Sequence, residues 1–149
     1  MTKLFDLNGR TALVTGSARG IGYALAEGLA AAGARVIVNG TKSDTVDAAV
    51  SRLRTQGFDA RGRAFDVTDE ASVAAAFAAW DAEGIDVDIV VNNAGIQFRK
   101  PMIDLALADW QRVIDTNLTS AFSHAGGKHT IESDRYEHHR HKAECFEQD

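Results

Sequence analysis

Thr15-Gly-Ser-Ala-Arg-Gly-Ile-Gly22 is the stretch on which the fold turns. An apolar run, Thr11-Ala-Leu-Val14, precedes it and reads as a buried strand. A helical pattern follows, with Ile21, Leu25 and Leu29 on one face. A strand, a Gly-rich turn and a helix N-terminus together make an anion site, because uncommitted backbone N–H groups point outward and the helix dipole favours negative charge. The three glycines have separable tasks. Gly16 permits a sharp turn, Gly20 leaves no side chain where a pyrophosphate approaches, and Gly22 lets the helix pack closely on the strand. The spacing is TGxxxGxG rather than the commoner GxGxxG. Its context points to a dinucleotide rather than an isolated phosphate; a purely structural turn is the alternative.

Working outward, strand and helix patterns alternate from residue 10 to about 122. The first helix spans 20–32 and stops at Gly33. A second strand follows at 34–38, a helix at 45–53 with Val46, Val50 and Leu53 on one side, and a third strand at 60–65. Asp69–Glu83 is a helix in which Val73, Phe77 and Trp80 recur at helical spacing. Asp88-Ile-Val-Val91 reads as a fourth strand, apolar in its middle and therefore expected to be central. Trp110, Val113, Ile114, Leu118 and Ala121 form a helical apolar stripe. Repeated β–α units with short connections predict an α/β fold: a Rossmann-like, doubly wound parallel sheet, incomplete at about four strands.

The pattern breaks at Ser123. All five histidines (124, 129, 138, 139 and 141) lie in 123–149, where there is no Leu or Val and charges alternate without an apolar face. The expected division is a partial dinucleotide-binding domain over 1–122 and a disordered tail over 123–149, since such a segment buries too little to offset its ordering entropy. His138, His141 and Cys145 are zinc-ligand types, but no paired ligand motif is present and no metal site is expected.

The 149 residues carry 16 Lys and Arg against 21 Asp and Glu, a net charge of −5. Nothing there points to nucleic acid or an anionic membrane. No apolar run approaches bilayer length, and Met1–Leu7 has no apolar signal core before Asp6 and Asn8. A single cysteine cannot form an internal disulfide, which is compatible with a reducing compartment. A cytoplasmic location is expected.

Thr15–Gly22, Asp66-Val67, Asn92-Asn-Ala-Gly95 and Asn117, at their proper spacing, resemble the short-chain dehydrogenase/reductase family from about Leu4 to Phe122. Within it, the stretches 65–69, 92–99 and 116–122 resemble the gluconate 5-dehydrogenases. The resemblance implies an NAD(P)-dependent oxidoreductase acting on a CH–OH group of a small sugar acid, D-gluconate to 5-dehydro-D-gluconate. It implies that Ser17, Arg19 and Ile21 line the phosphate turn beside Gly16, Gly20 and Gly22. Asp66 and the Val67 backbone would meet the adenine. Asn92, Ala94 and Gly95 would lie against the ribose and nicotinamide. Asn117 would be the one catalytic-set residue present, helping to hold a lysine through water. Read from the residues alone, Asn117 is a buried amide on its helix's apolar stripe, and bonding to nearby backbone is the plainer role.

Cofactor choice follows from charge. An NAD-binding fold places an acid near the end of the second strand for the ribose 2′-OH. Here the sequence is Val38-Asn-Gly-Thr-Lys42, and Lys42 with Arg19 suits a 2′-phosphate, so NADP is expected over NAD. Arg99, just past the nicotinamide turn, is the candidate for a substrate carboxylate. Solvated surface roles remain open for Lys42 and Arg99.

Hydride transfer to a ketone needs a proton donor, and the family uses Tyr with Lys four residues later and an upstream Ser. Tyr23 is followed at that position by Glu27 and Tyr136 by Arg140, and Ser133 is too near Tyr136. The catalytic Ser, Tyr and Lys are therefore absent from these residues, as is most of the family's oligomer interface. A truncated product with a frameshifted tail is the expectation for residues 123–149. The alternatives are a non-catalytic NADP-binding remnant and a chain that folds poorly because Ile89–Val91 becomes a sheet edge.

Overall fold

A computed structural model of the chain describes residues 5–124. Four strands, β1 (Thr11–Val14), β2 (Arg35–Gly40), β3 (Ala60–Ala64) and β4 (Ile89–Val91), form one parallel sheet in the order β3-β2-β1-β4. Register is fixed by Leu13 opposite Ile37 and Val90, and by Val38 opposite Gly62. The helices are α1 (Gly20–Ala31), α2 (Ser43–Thr55), α3 (Glu70–Ala82) and α4 (Leu107–Ile114). The predicted elements agree with these to within a residue or two at most ends, because the 3.6 and 2 periodicities are local.

Alternation along the strands feeds two cores. Ala12, Val14, Val36 and Val38 face α1 and α2, meeting Tyr23, Ala26, Val46 and Leu53. Leu13 and Ile37 face the other way, onto Val73, Phe77 and Trp80 of α3. The doubly wound expectation holds.

Three details differ from the sequence reading. Ile21 is 77% exposed and Leu25 is also exposed; α1 instead turns Gly22, Tyr23, Ala26 and Ala30 inward. Small residues there let the helix axis approach the sheet, and a Cβ on Gly22 would lie 2.5 Å from the Gly16 carbonyl oxygen. β4 is half-buried at the outer edge of the described sheet rather than central, since no described strand pairs beyond it. The last helix is not a uniform α-helix. It passes through a π turn at Asp115–Thr119 and continues over 120–124, and His124 is buried. Of the apolar stripe it carries, Trp110 and Leu118 are exposed and Val113, Ile114 and Ala121 are half-buried. The tail expected to be disordered, with Ser133, Tyr136, His138, His141 and Cys145, lies beyond residue 124, outside the described residues. Among the described residues no helix is long and apolar enough to cross a membrane.

Candidate cofactor site

The chain leaves β1 toward β2 on one side and returns from β3 to β4 on the other, so the direction of winding reverses between β1 and β4. Ligands of open α/β sheets bind outside the carboxyl ends of the strands at that point. A cleft of about 1330 Å³ opens there.

Its floor is the predicted turn. Gly16 has φ +63° and a Cβ there would come within 2.9 Å of the Ala94 Cα, so both the turn and the contact with the β4 loop require glycine. Gly20 has φ +59° with open space where a side chain would be. Arg19 is the N-cap of α1 but makes no capping hydrogen bond, and the first helical turn has no acidic residue. The first N–H groups of α1 therefore face the cleft without a side-chain partner, as an anion site requires.

Thr15 joins the two loops. Its Oγ1 accepts from the backbone N–H of Asn93 and of Ala94, 3.0 Å each, and donates to the Val91 carbonyl at 3.3 Å. Asn93 Nδ2 returns a hydrogen bond to the Thr15 carbonyl at 2.9 Å. Both lie inside the quoted motifs, but the sequence reading gives neither a role; the available signal is a polar residue just past an apolar strand, Thr15 immediately after β1 and Asn93 two positions after β4.

Of the residues expected to hold cofactor, Gly16, Arg19, Gly20, Ile21, Gly22, Lys42, Asp66, Val67, Ala94 and Gly95 all line the cleft. Neither Arg19 nor Lys42 has an ion-pair partner among the described residues. The Asp66 carboxylate accepts from the Thr68 N–H at 2.9 Å and hydroxyl at 2.7 Å, which fixes it at the rim. Two residues fall elsewhere. Ser17 is fully buried, its hydroxyl donating to the Val14 carbonyl at 2.6 Å and accepting from the Asn39 N–H at 3.0 Å. Asn92 turns away from the cleft to His124, whose Nδ1 lies 2.9 Å from Asn92 Oδ1. The other His124 nitrogen, Nε2, is buried without a partner among the described residues, and burial holds the imidazole pKa below its usual 6.5.

Asn117 is exposed rather than buried, yet its amide is fully engaged. Oδ1 accepts from the Ile96 N–H at 2.8 Å and Nδ2 donates to the Ile96 carbonyl at 3.1 Å. It clamps the loop after Gly95 onto the π turn, the plainer of its two expected roles. Arg99 is exposed outside the cleft lining, with Nη2 3.2 Å from Oε1 of Gln97, a lining residue.

Comparisons with known proteins agree with this geometry. The 2-dehydro-3-deoxy-D-gluconate 5-dehydrogenase of Formosa agariphila is 44% identical over 120 residues, 80% of this chain and 46% of that protein. A structure from Agrobacterium tumefaciens, provisionally assigned as a gluconate dehydrogenase, superposes with a TM-score of 0.85 at 61% identity, covering 88% of this chain and 52% of that one. A gluconate 5-dehydrogenase from Burkholderia cenocepacia in complex with NADP and tartrate gives a TM-score of 0.82 at 40% identity, over 88% of this chain and 51% of that one. The chain thus spans about half the length of the relatives it matches. The sequence model of the short chain dehydrogenase family matches residues 10–127, from β1 past the last helix described, and the chain belongs to that family.

Proposed function

We propose that these 149 residues are the dinucleotide-holding part of an NADP-linked oxidoreductase that acts on the CH–OH group of a sugar acid, D-gluconate and its 5-keto form being the favoured pair. The observation that carries this reading is the cleft itself. An uncapped α1 N-terminus and glycines with positive φ form its floor, and Arg19 and Lys42 stand on it with no acid at the end of β2. A pyrophosphate fits the floor, and the two cations suit a 2′-phosphate. The Burkholderia relative is an NADP complex, which supports the same choice. The sugar acids in the relatives' names support a carboxylate-bearing substrate. Arg99, with its guanidinium exposed beside Gln97, is the group proposed to meet it.

NADP, when bound, supplies the hydride acceptor. The residues of this chain bind and orient it: the turn takes the pyrophosphate, Asp66 and Val67 the adenine, Ala94 and Gly95 the nicotinamide side. The sequence has no Tyr-x-x-x-Lys, the pair by which the family moves the alcohol proton. The chain on its own is therefore proposed to bind NADP without oxidising gluconate.

Titration of the purified chain with NADP and with NAD, alongside an assay with gluconate, tests this. Saturable NADP binding, tighter than NAD by about tenfold (about 1.4 kcal/mol), with no NADPH formed is the expected result. Tighter binding of NAD, or turnover of gluconate, overturns it.

A further inference from the structure

Asn39 is the last residue of β2 but one, and it is 1% exposed although it borders the cleft. Its carboxamide contacts the turn after β1 and the end of β3 with the residue that follows it. Oδ1 accepts from the Gly16 N–H at 3.1 Å. Nδ2 donates to the Phe65 carbonyl at 3.1 Å and to the Arg63 carbonyl at 3.3 Å. The backbone is equally engaged: the Asn39 carbonyl accepts from the Ser17 N–H at 2.8 Å, and its N–H donates to Ser17 Oγ. One N–H donor on one side and two carbonyl acceptors on the other admit a single orientation of the amide. No other side chain of this size supplies both, and an acid supplies only the acceptor half.

The two structures held by this amide are the two walls of the cleft's adenosine end. Gly16 begins the phosphate turn. Phe65 carries the backbone directly into Asp66 and Val67. The amide links these two walls where no β1–β3 pairing does, since those strands are not neighbours in the sheet, and it adds to the backbone links through Ser17 N–H to the Asn39 carbonyl and Phe65 N–H to the Gly40 carbonyl.

We propose that Asn39 is the positioning residue for the adenosine half of the dinucleotide. It sets the distance between the phosphate turn and the Asp66 loop without touching the 2′ substituent itself. The inference rests on the cofactor reading above. It has a consequence for specificity. The end of β2 is where an acid selects NAD, yet an acid at 39 would put a buried negative charge against two carbonyl oxygens. Discrimination of the 2′ group then belongs to Thr41, Lys42 and Arg19, which line the cleft and are exposed.

The test compares Asn39→Asp with Thr41→Asp by titration with NADP and NAD, beside hydrogen exchange of the Gly16 amide in the unchanged chain. Asn39→Asp is expected to weaken both dinucleotides by about tenfold or more with their ratio held within about twofold. Thr41→Asp is expected to move the ratio toward NAD. The Gly16 amide should exchange slowly before any dinucleotide is added, because it is already bonded. A ratio that moves toward NAD in Asn39→Asp, unchanged affinities in that variant, or a fast-exchanging Gly16 amide each overturns the proposal. If Asn39→Asp does not fold, Asn39→Ser, uncharged and too short to span both contacts, replaces it with the same expectation. Failure of the unchanged chain to bind either dinucleotide is a separate result, which removes the cofactor reading and this inference with it.

Discussion

Gly20 and Gly22 stand two residues apart and bear different constraints. Alanine at Gly20 meets no atom within 4 Å but must adopt φ +59°, a strain of about 1–2 kcal/mol. Its methyl would also project where the pyrophosphate is proposed to lie. Alanine at Gly22 has an ordinary helical φ, but its Cβ would collide with the Gly16 carbonyl and with Asn93 Nδ2. Backbone on one side and a doubly bonded amide on the other leave little room to give, so the cost should reach about 3 kcal/mol or more. Denaturant unfolding and NADP titration of both variants separate the cases. Gly20→Ala is expected to lose only that strain of about 1–2 kcal/mol in stability but most of its affinity, and Gly22→Ala to show the larger stability loss. Equal stability losses would show that Gly22 is not a packing position. These glycine tasks were legible in the sequence because they depend on neighbours within one turn. The burial of Ser17 was not, since its hydroxyl is directed by Asn39, 22 positions away, and nothing local marks that pairing.

At the scale of the element, α3 shows how a helix start couples to pH. Asp69 is its N-cap, with the carboxylate accepting from Ser72 Oγ at 2.5 Å and from the Ala71 N–H at 3.1 Å. The Ser72 hydroxyl above all, with the Ser72 and Ala71 backbone, favours the charged form and holds the pKa below the usual 3.8. A carboxyl whose folded pKa is depressed stabilises the fold fully above its unfolded pKa and loses that contribution as pH falls through the folded value. Asp69→Ala is therefore expected to melt below wild type at neutral pH, with the gap narrowing as the pH drops below 3.8. Thermal melts across that range check it, and a gap independent of pH would assign the effect to propensity rather than to the charged cap. Helix identity was readable from Val73, Phe77 and Trp80. The orientation of α1 was not, because its sheet-facing side is chosen by smallness, and Ile21 and Leu25 mislead a reading based on apolarity alone. The π turn at Asp115–Thr119 likewise has no periodic signature; it arises where Asn117 bonds to Ile96 across a gap of 21 residues.

The described residues form a sheet with α1 and α2 on one face and α3 on the other, and the cleft at one end of the strands touches Phe65 and Val67 of the α3-side core but none of the buried residues of the α1/α2 core. That separation predicts how stability and cofactor binding combine. Leu53 is fully buried against the strands from α2 and does not line the cleft. Leu53→Ala should cost about 2–5 kcal/mol, a large fraction of the 5–15 kcal/mol typical of a folded domain. NADP at 100 times its dissociation constant should return about 2.7 kcal/mol, provided only the folded state binds it. Because the mutated site and the cleft share no residue, that increment should be the same in the variant as in wild type, as additivity requires of distant sites. Denaturant unfolding of both proteins with and without NADP measures all four quantities. A markedly smaller increment in Leu53→Ala would mean that the α2 face and the cleft unfold as coupled parts. The route for such coupling would be β2, which carries Val38 into the core and Asn39 to the turn, joined in the chain by a single peptide bond.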